Sequence, residues 1–146
     1  MTTAALLCDT GAILDYLDPS APDHEAFRVA IDRARARHVP GLVLAEMDYF
    51  LRNHRKAMRA LMADLARGAF TLAAPTVPML QRAMAIDRHY EDLRLGLVDA
   101  SIVALAERLG VTRIATRDVR HFSAVRLRDG GSFDLVVQPV RPDRSA

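Results

Sequence analysis

Of the 18 acidic residues in this sequence, most lie among other polar residues, but four do not. Asp9 directly follows the apolar run Leu6-Leu7-Cys8, and Asp118 comes two residues after Ile114-Ala115-Thr116. Asp99 sits between Val98 and Ala100 beside the most hydrophobic helical segment, and Glu46 lies inside Leu42-Val43-Leu44-Ala45-Glu46-Met47. Each alone has an ordinary explanation: Asp9 or Asp99 as a helix cap, Asp118 in an Asx turn, Glu46 paired with an Arg. The set asks for more. Four like charges at apolar boundaries repel one another and are costly to desolvate, so if they converge a cation must compensate. Carboxylate-only ligation favours Mg²⁺, with Mn²⁺ as a substitute, over zinc. The five histidines, at 24, 38, 54, 89 and 121, show no zinc-type spacing such as His-Glu-x-x-His.

Carboxylates holding Mg²⁺ suit phosphodiester hydrolysis, because the ion can activate water and stabilise the leaving oxygen without a Ser, Cys or His nucleophile. Thr10 and Thr116, each beside an acid, can orient a carboxylate from behind; they also fit as a cap or strand hydroxyl. A nucleic-acid substrate agrees with the basic residues. Of 20, 19 are Arg, grouped at Arg28–Arg37, Arg52–Arg59 and Arg113–Arg128, and the guanidinium fork matches phosphate. The same groups can equally be solvated helix faces.

The elements that must position these acids follow from the spacing of apolar residues. Leu6–Cys8 reads as a strand, a turn at Asp9-Thr10-Gly11 follows, and Ala12–Leu17 is helical. Phe27, Ile31 and Ala34 mark an amphipathic helix over Pro22–Arg37. After Pro40-Gly41 come helices over Leu42–Leu51 and Ala57–Leu65, a strand at Phe70–Ala73, and a helix from Pro75-Thr76 to about Tyr90. Ala100–Leu109 is an apolar helix closed by Gly110, followed by strands at Arg113–Thr116 and Leu135–Val137. Strands separated by helices predict a parallel sheet covered on both faces, a three-layer α/β/α domain. In such sheets ligands bind outside the carboxyl ends of the strands, where Asp9 and Asp118 fall.

Composition agrees with one compact domain over residues 1–140 and a loose tail over 141–146, at 51% hydrophobic content over 146 residues. No run of about 18 to 20 uncharged apolar residues exists to form a membrane helix, and the N-terminus lacks a basic leader, so a cytoplasmic protein is expected. The lone Cys8, in its apolar run, reads as a buried hydrophobe.

Four segments carry a family resemblance: Leu-Leu-Cys-Asp9-Thr-Gly, Leu-Val-Leu-Ala-Glu46-Met-Asp-Tyr, Gly-Leu-Val-Asp99-Ala-Ser-Ile-Val-Ala-Leu-Ala-Glu-Arg-Leu-Gly, and Ile-Ala-Thr116-Arg-Asp118-Val-Arg-His-Phe122. In order and spacing they resemble the four motifs of PIN-domain proteins, in particular VapC-type toxins of toxin–antitoxin pairs. The resemblance implies a Rossmann-like sheet and a Mg²⁺ site with Asp9 and Asp99 as main ligands, completed by Glu46 and Asp118. It further implies endoribonuclease activity, a VapB-type antitoxin and a homodimer. Arg117, Arg120 and His121, beside Asp118, are then the candidates for RNA phosphate contacts. Phe50, Leu51, Met58, Leu61, Met62 and Leu65 can form an antitoxin groove or can all be core. Gly11 departs from the polar Ser or Asn common in relatives. Two rivals stand beside this reading: another Mg²⁺ enzyme, such as a phosphatase or DNA nuclease, and an idle binding domain. An aspartyl-phosphate phosphatase calls for Asp-x-Asp where this chain has Asp9-Thr10-Gly11.

Overall fold

A computed structural model describes residues 5–140; the tail expected over 141–146 lies outside the described residues. In chain order the elements are β1 (Leu6–Cys8), α1 (Thr10–Leu17), α2 (His24–Arg33), β2 (Arg37–Pro40), α3 (Gly41–Phe50) and α4 (Arg55–Ala66). Then come β3 (Thr71–Ala73), α5 (Val77–His89), a 3₁₀ turn at Glu91–Leu93, α6 (Gly96–Leu109), β4 (Arg113–Ala115), α7 (Val119–Ala124) and β5 (Asp134–Leu135). The strands pair in the order β3-β2-β1-β4-β5, all parallel. This is the α/β architecture that the alternation of strand and helix predicts.

The chain runs outward from β1 through β2 to β3, then returns past β1 to place β4 and β5 on the other side. The reversal falls between β1 and β4, the switch point at which α/β sheets open a crevice beyond their strand ends. Both faces of the centre are covered: all three residues of β1 are buried, α2 lies near β4 and α6 near β2. Cys8 is fully enclosed there, and burial pushes its thiol up to about 12, which leaves it an unreactive filler.

Two departures from the sequence reading have local causes. The helix expected to run through Arg37 ends at Arg33, and Arg37 opens β2. Its guanidinium closes the end of α2 by donating to the carbonyls of Ile31 (2.6 Å) and Asp32 (2.8 Å), and reaches Ala69 at 2.9 Å. The second is α7, which begins where Asp118 accepts the His121 N–H at 3.1 Å as its N-cap. At Gly41, which starts α3, an added Cβ would lie 2.5 Å from the Pro75 ring and 3.3 Å from the Ala73 carbonyl, so only glycine lets α3 cross so close to the end of β3.

An ion triad locks the crevice wall. Arg117, in the loop between β4 and α7, donates from Nη1 to Asp15 of α1 (2.5 Å) and to Asp23 before α2 (2.7 Å), with all three side chains almost fully buried. Asp23 also accepts the Val140 N–H at 2.9 Å. The arginine stem runs over Gly11, where a Cβ would meet it at 3.1 Å. The missing side chain at Gly11 is thus the space that Arg117 occupies. Removing one partner of a buried ion cluster strands the others, which costs about 3–5 kcal/mol. Arg117→Met is therefore expected to lose about that much in urea unfolding; a loss under about 1 kcal/mol would show that the triad is not what holds this wall.

Candidate active site

Register brings the first pair of site residues together. Leu7 pairs with Ile114 and Cys8 with Ala115, so the next residues along, Asp9 and Thr116, emerge side by side at the carboxyl ends of β1 and β4. The ladder extends one step further through the Asp9 N–H to the Ala115 carbonyl, 2.9 Å. Thr116 Oγ1 then donates to Asp9 Oδ2 at 2.7 Å, and the Thr10 N–H donates to Asp9 Oδ1 at 2.7 Å. Asp9 is buried, with both carboxylate oxygens held.

The remaining acids arrive from three other elements. Glu46, half-buried on α3, accepts the Thr10 hydroxyl at 2.6 Å, so Thr10 ties the start of α1 to the acid facing it. Asp99 sits in the first turn of α6, where its charge is favoured by the helix dipole; α6 starts at Gly96, earlier than the sequence suggests. Asp118 follows β4, its own N–H donating to Thr116 Oγ1 at 2.9 Å. One cleft of about 1150 Å³ is lined by Asp9, Glu46, Asp99 and Asp118 together.

Electrostatics reports how closely they face one another. Burial raises the Asp9 carboxyl to about 6; the bonds from Thr116 and Thr10 oppose this, and the charges of Glu46 and Asp118 add to it. Asp99 is raised to about 10, first by burial, then by the charge of Asp9, by a hydrogen bond with Asp118 and by the charges of Asp118 and Glu46. Asp99 in particular resists ionisation here, and a cation in the cleft would offset the charges that oppose it. The donor chemistry fits a divalent ion: one atom each of Asp99, Asp118 and His121 lie within 4.8 Å of one another, and Asp9 is near enough for its charge to act on Asp99.

The three expected RNA contacts are placed very differently. Arg120 is exposed on α7. Arg117 faces inward and is committed to Asp15 and Asp23, carboxylates of the fold. His121 turns its ring into the acid cluster, with Nδ1 at 2.8 Å from Asp99 Oδ2 and 2.6 Å from Asp118 Oδ2. The signal for that placement was in the sequence: an N-cap acid and a histidine three residues on share the first turn of a helix. Sequence reasoning also passed over Arg94, exposed at the cleft rim with left-handed backbone (φ 52°). Of the apolar residues weighed as a groove, Leu51, Met58 and Leu61 are core, whereas Phe50 and Met62 are about half exposed at 51% and 47%.

The chain matches the PIN domain family over residues 6–127. It is 40% identical over 134 residues to Ribonuclease VapC26 of Mycobacterium tuberculosis, spanning 90% of this chain and 99% of that protein. Its fold resembles that of M. tuberculosis VapC20, described as a sarcin-ricin loop cleaving toxin, with TM-score 0.66 and 18% identity over 75% of this chain and 86% of that one. It also resembles VapBC2 from Rickettsia felis, solved bound to a promoter DNA fragment, with TM-score 0.65 and 12% identity over 90% of this chain and 98% of that one. With a family match over most of its length and a close relative spanned almost from end to end, the chain belongs to the PIN-domain family, among its VapC-type members.

Proposed function

We propose that this protein is a Mg²⁺-dependent endoribonuclease, the toxin of a toxin–antitoxin pair, with Asp9, Glu46, Asp99 and Asp118 as its catalytic carboxylates. The observation that carries the reading is the convergence of these four acids in one cleft at the β1/β4 switch point. The 40% identity to a ribonuclease supplies the reaction class.

Asp9, Asp99 and Asp118 would hold the cation, which when bound would supply Lewis acidity toward the scissile phosphate and lower the pKa of water. Thr116 and Thr10 fix Asp9 through both of its oxygens, so the carboxylate is oriented before any substrate arrives. Thr10 also occupies Glu46 Oε1, which leaves Oε2 to take the proton of the attacking water. Arg120 and Arg94, both exposed, supply phosphate contacts along the RNA. The half-exposed Phe50 and Met62 on the α3–α4 face offer an apolar patch to a VapB-type antitoxin, and a homodimer completes the reading.

Asp9→Asn and Asp99→Asn are each expected to lower RNA cleavage by roughly 10²- to 10⁴-fold, and EDTA to abolish it. Thr116→Val should cost roughly 10- to 100-fold, through the loosened Asp9. The assay is cleavage-site mapping on total RNA, and full activity in EDTA or in Asp99→Asn would sink the proposal.

The raised carboxyls also set a stability profile. Ordinary aspartates release their proton near 3.8, whereas folded Asp9 and Asp99 keep theirs to about 6 and about 10. The cation-free fold therefore binds more protons than the unfolded chain between those values, and its stability falls as pH rises through that window. In EDTA, Tm should drop between pH 5 and pH 8. Mg²⁺ at roughly a hundred times its Kd should restore about 2.7 kcal/mol at pH 8, several degrees of Tm, and less at pH 5. A Tm in EDTA that is flat or rising over that range would contradict the clustering of the acids.

A further inference from the structure

We propose that His121 is itself a ligand of the divalent cation, through Nδ1, which makes the site a mixed nitrogen–oxygen one that binds Mn²⁺ more tightly than Mg²⁺. The inference rests on the reading of the cleft as a cation site and adds to it a ligand of a different chemical kind.

Geometry carries it. Asp118 grips His121 twice: Oδ1 caps the backbone N–H at 3.1 Å and Oδ2 lies 2.6 Å from the ring Nδ1. The cap holds Asp118 in place, and its second oxygen meets the ring from that fixed position. From the opposite wall Asp99 Oδ2 reaches the same nitrogen at 2.8 Å. Three donor atoms, from the start of α6, the cap of α7 and its first turn, thus face one another within 4.8 Å. In a six-coordinate ion with bonds of about 2.1 Å, neighbouring donor atoms lie about 3.0 Å apart. The separations of 2.6 and 2.8 Å approach that edge length, so both carboxylate oxygens already stand about as far from Nδ1 as fellow ligands of one ion would.

Chemistry sets the consequence. With its proton on Nε2, imidazole presents the Nδ1 lone pair to whatever the two carboxylates hold. Mg²⁺ keeps to oxygen and water, whereas Mn²⁺ accepts imidazole readily. His54 lines the same cleft but is exposed and is not part of this cluster, so it provides an internal control.

The test is pulsed electron paramagnetic resonance on the full chain loaded with one equivalent of Mn²⁺, in protein carrying natural-abundance or ¹⁵N-labelled histidine. Expected is a directly bonded ¹⁴N modulation that is replaced by a ¹⁵N signal on labelling, is lost in His121→Gln and His121→Leu, and persists in His54→Gln. Calorimetry on the same proteins should show Mn²⁺ affinity falling roughly tenfold or more without His121. Bound Mn²⁺ with no histidine coupling, or coupling that survives in both His121 variants, overturns the proposal while leaving the carboxylate site intact. Failure of the wild-type chain to bind Mn²⁺ at all overturns the cation site itself. The labelling arm needs no substitution, so absence of a histidine signal overturns the proposal even if the His121 variants do not fold, and a signal that persists in His54→Gln excludes the other histidine of the cleft.

Discussion

The crowding of carboxylates in a cleft that water only partly reaches is the constraint around which the rest of this fold is arranged. Four acids from four different elements meet at the end of a parallel sheet, and the charges of Glu46 and Asp118 make the ionisation of Asp9 and Asp99 harder. Repulsion among their charges works against that arrangement. It has to be imposed by the packing of elements that are stable for other reasons: β1 and β4 in register, α6 buried from Ala100 to Ala106, and α3 crossing close to β3 at Gly41.

That division of labour appears in three consecutive residues. Thr116 faces β1 and holds Asp9; Arg117 faces α1 and α2 and is anchored by Asp15 and Asp23; Asp118 faces the cleft and starts α7. Arg117 contributes its charge to the scaffold, and by holding the loop down it makes the directions of its two neighbours determinate. A single guanidinium nitrogen, Nη1, satisfies carboxylates from two elements at once. Gly11 belongs to the same device, since the stem of Arg117 lies where a side chain at that position would begin.

What the sequence makes legible divides along physical lines. Strands and helices with apolar periodicity are readable because their pattern is the pattern of burial, and so β1, α1, β3, α5 and β4 come out close to where they lie. The acids are readable for a related reason: a charge beside an apolar run is an anomaly that only a site or a cap explains. β2 and α7 are not readable in this way. β2 carries Arg37 and His38, with its stability coming from guanidinium bonds to distant carbonyls, and α7 depends on a cap whose other function is in the cleft. The direction in which Arg117 points was also hidden, because proximity in sequence to Asp118 says nothing of which side of the chain a side chain leaves from.

The double use of Asp118 shows how such a site is kept in register. A carboxylate that only faced the cleft would be free to rotate away from its like-charged neighbours, and repulsion would favour that rotation. Because Oδ1 caps α7, rotation of Asp118 would leave the His121 N–H without its partner and loosen the helix behind it. The cap thus opposes the repulsion locally, residue by residue, as Thr116 and Thr10 do for Asp9. Helix and strand ends supply backbone N–H groups and hydroxyls that accept a negative charge pointing outward, and a parallel sheet gathers those ends on one side. The acids can therefore be held in opposition to one another by bonds that belong to secondary structure, and the fold needs no separate apparatus to do it.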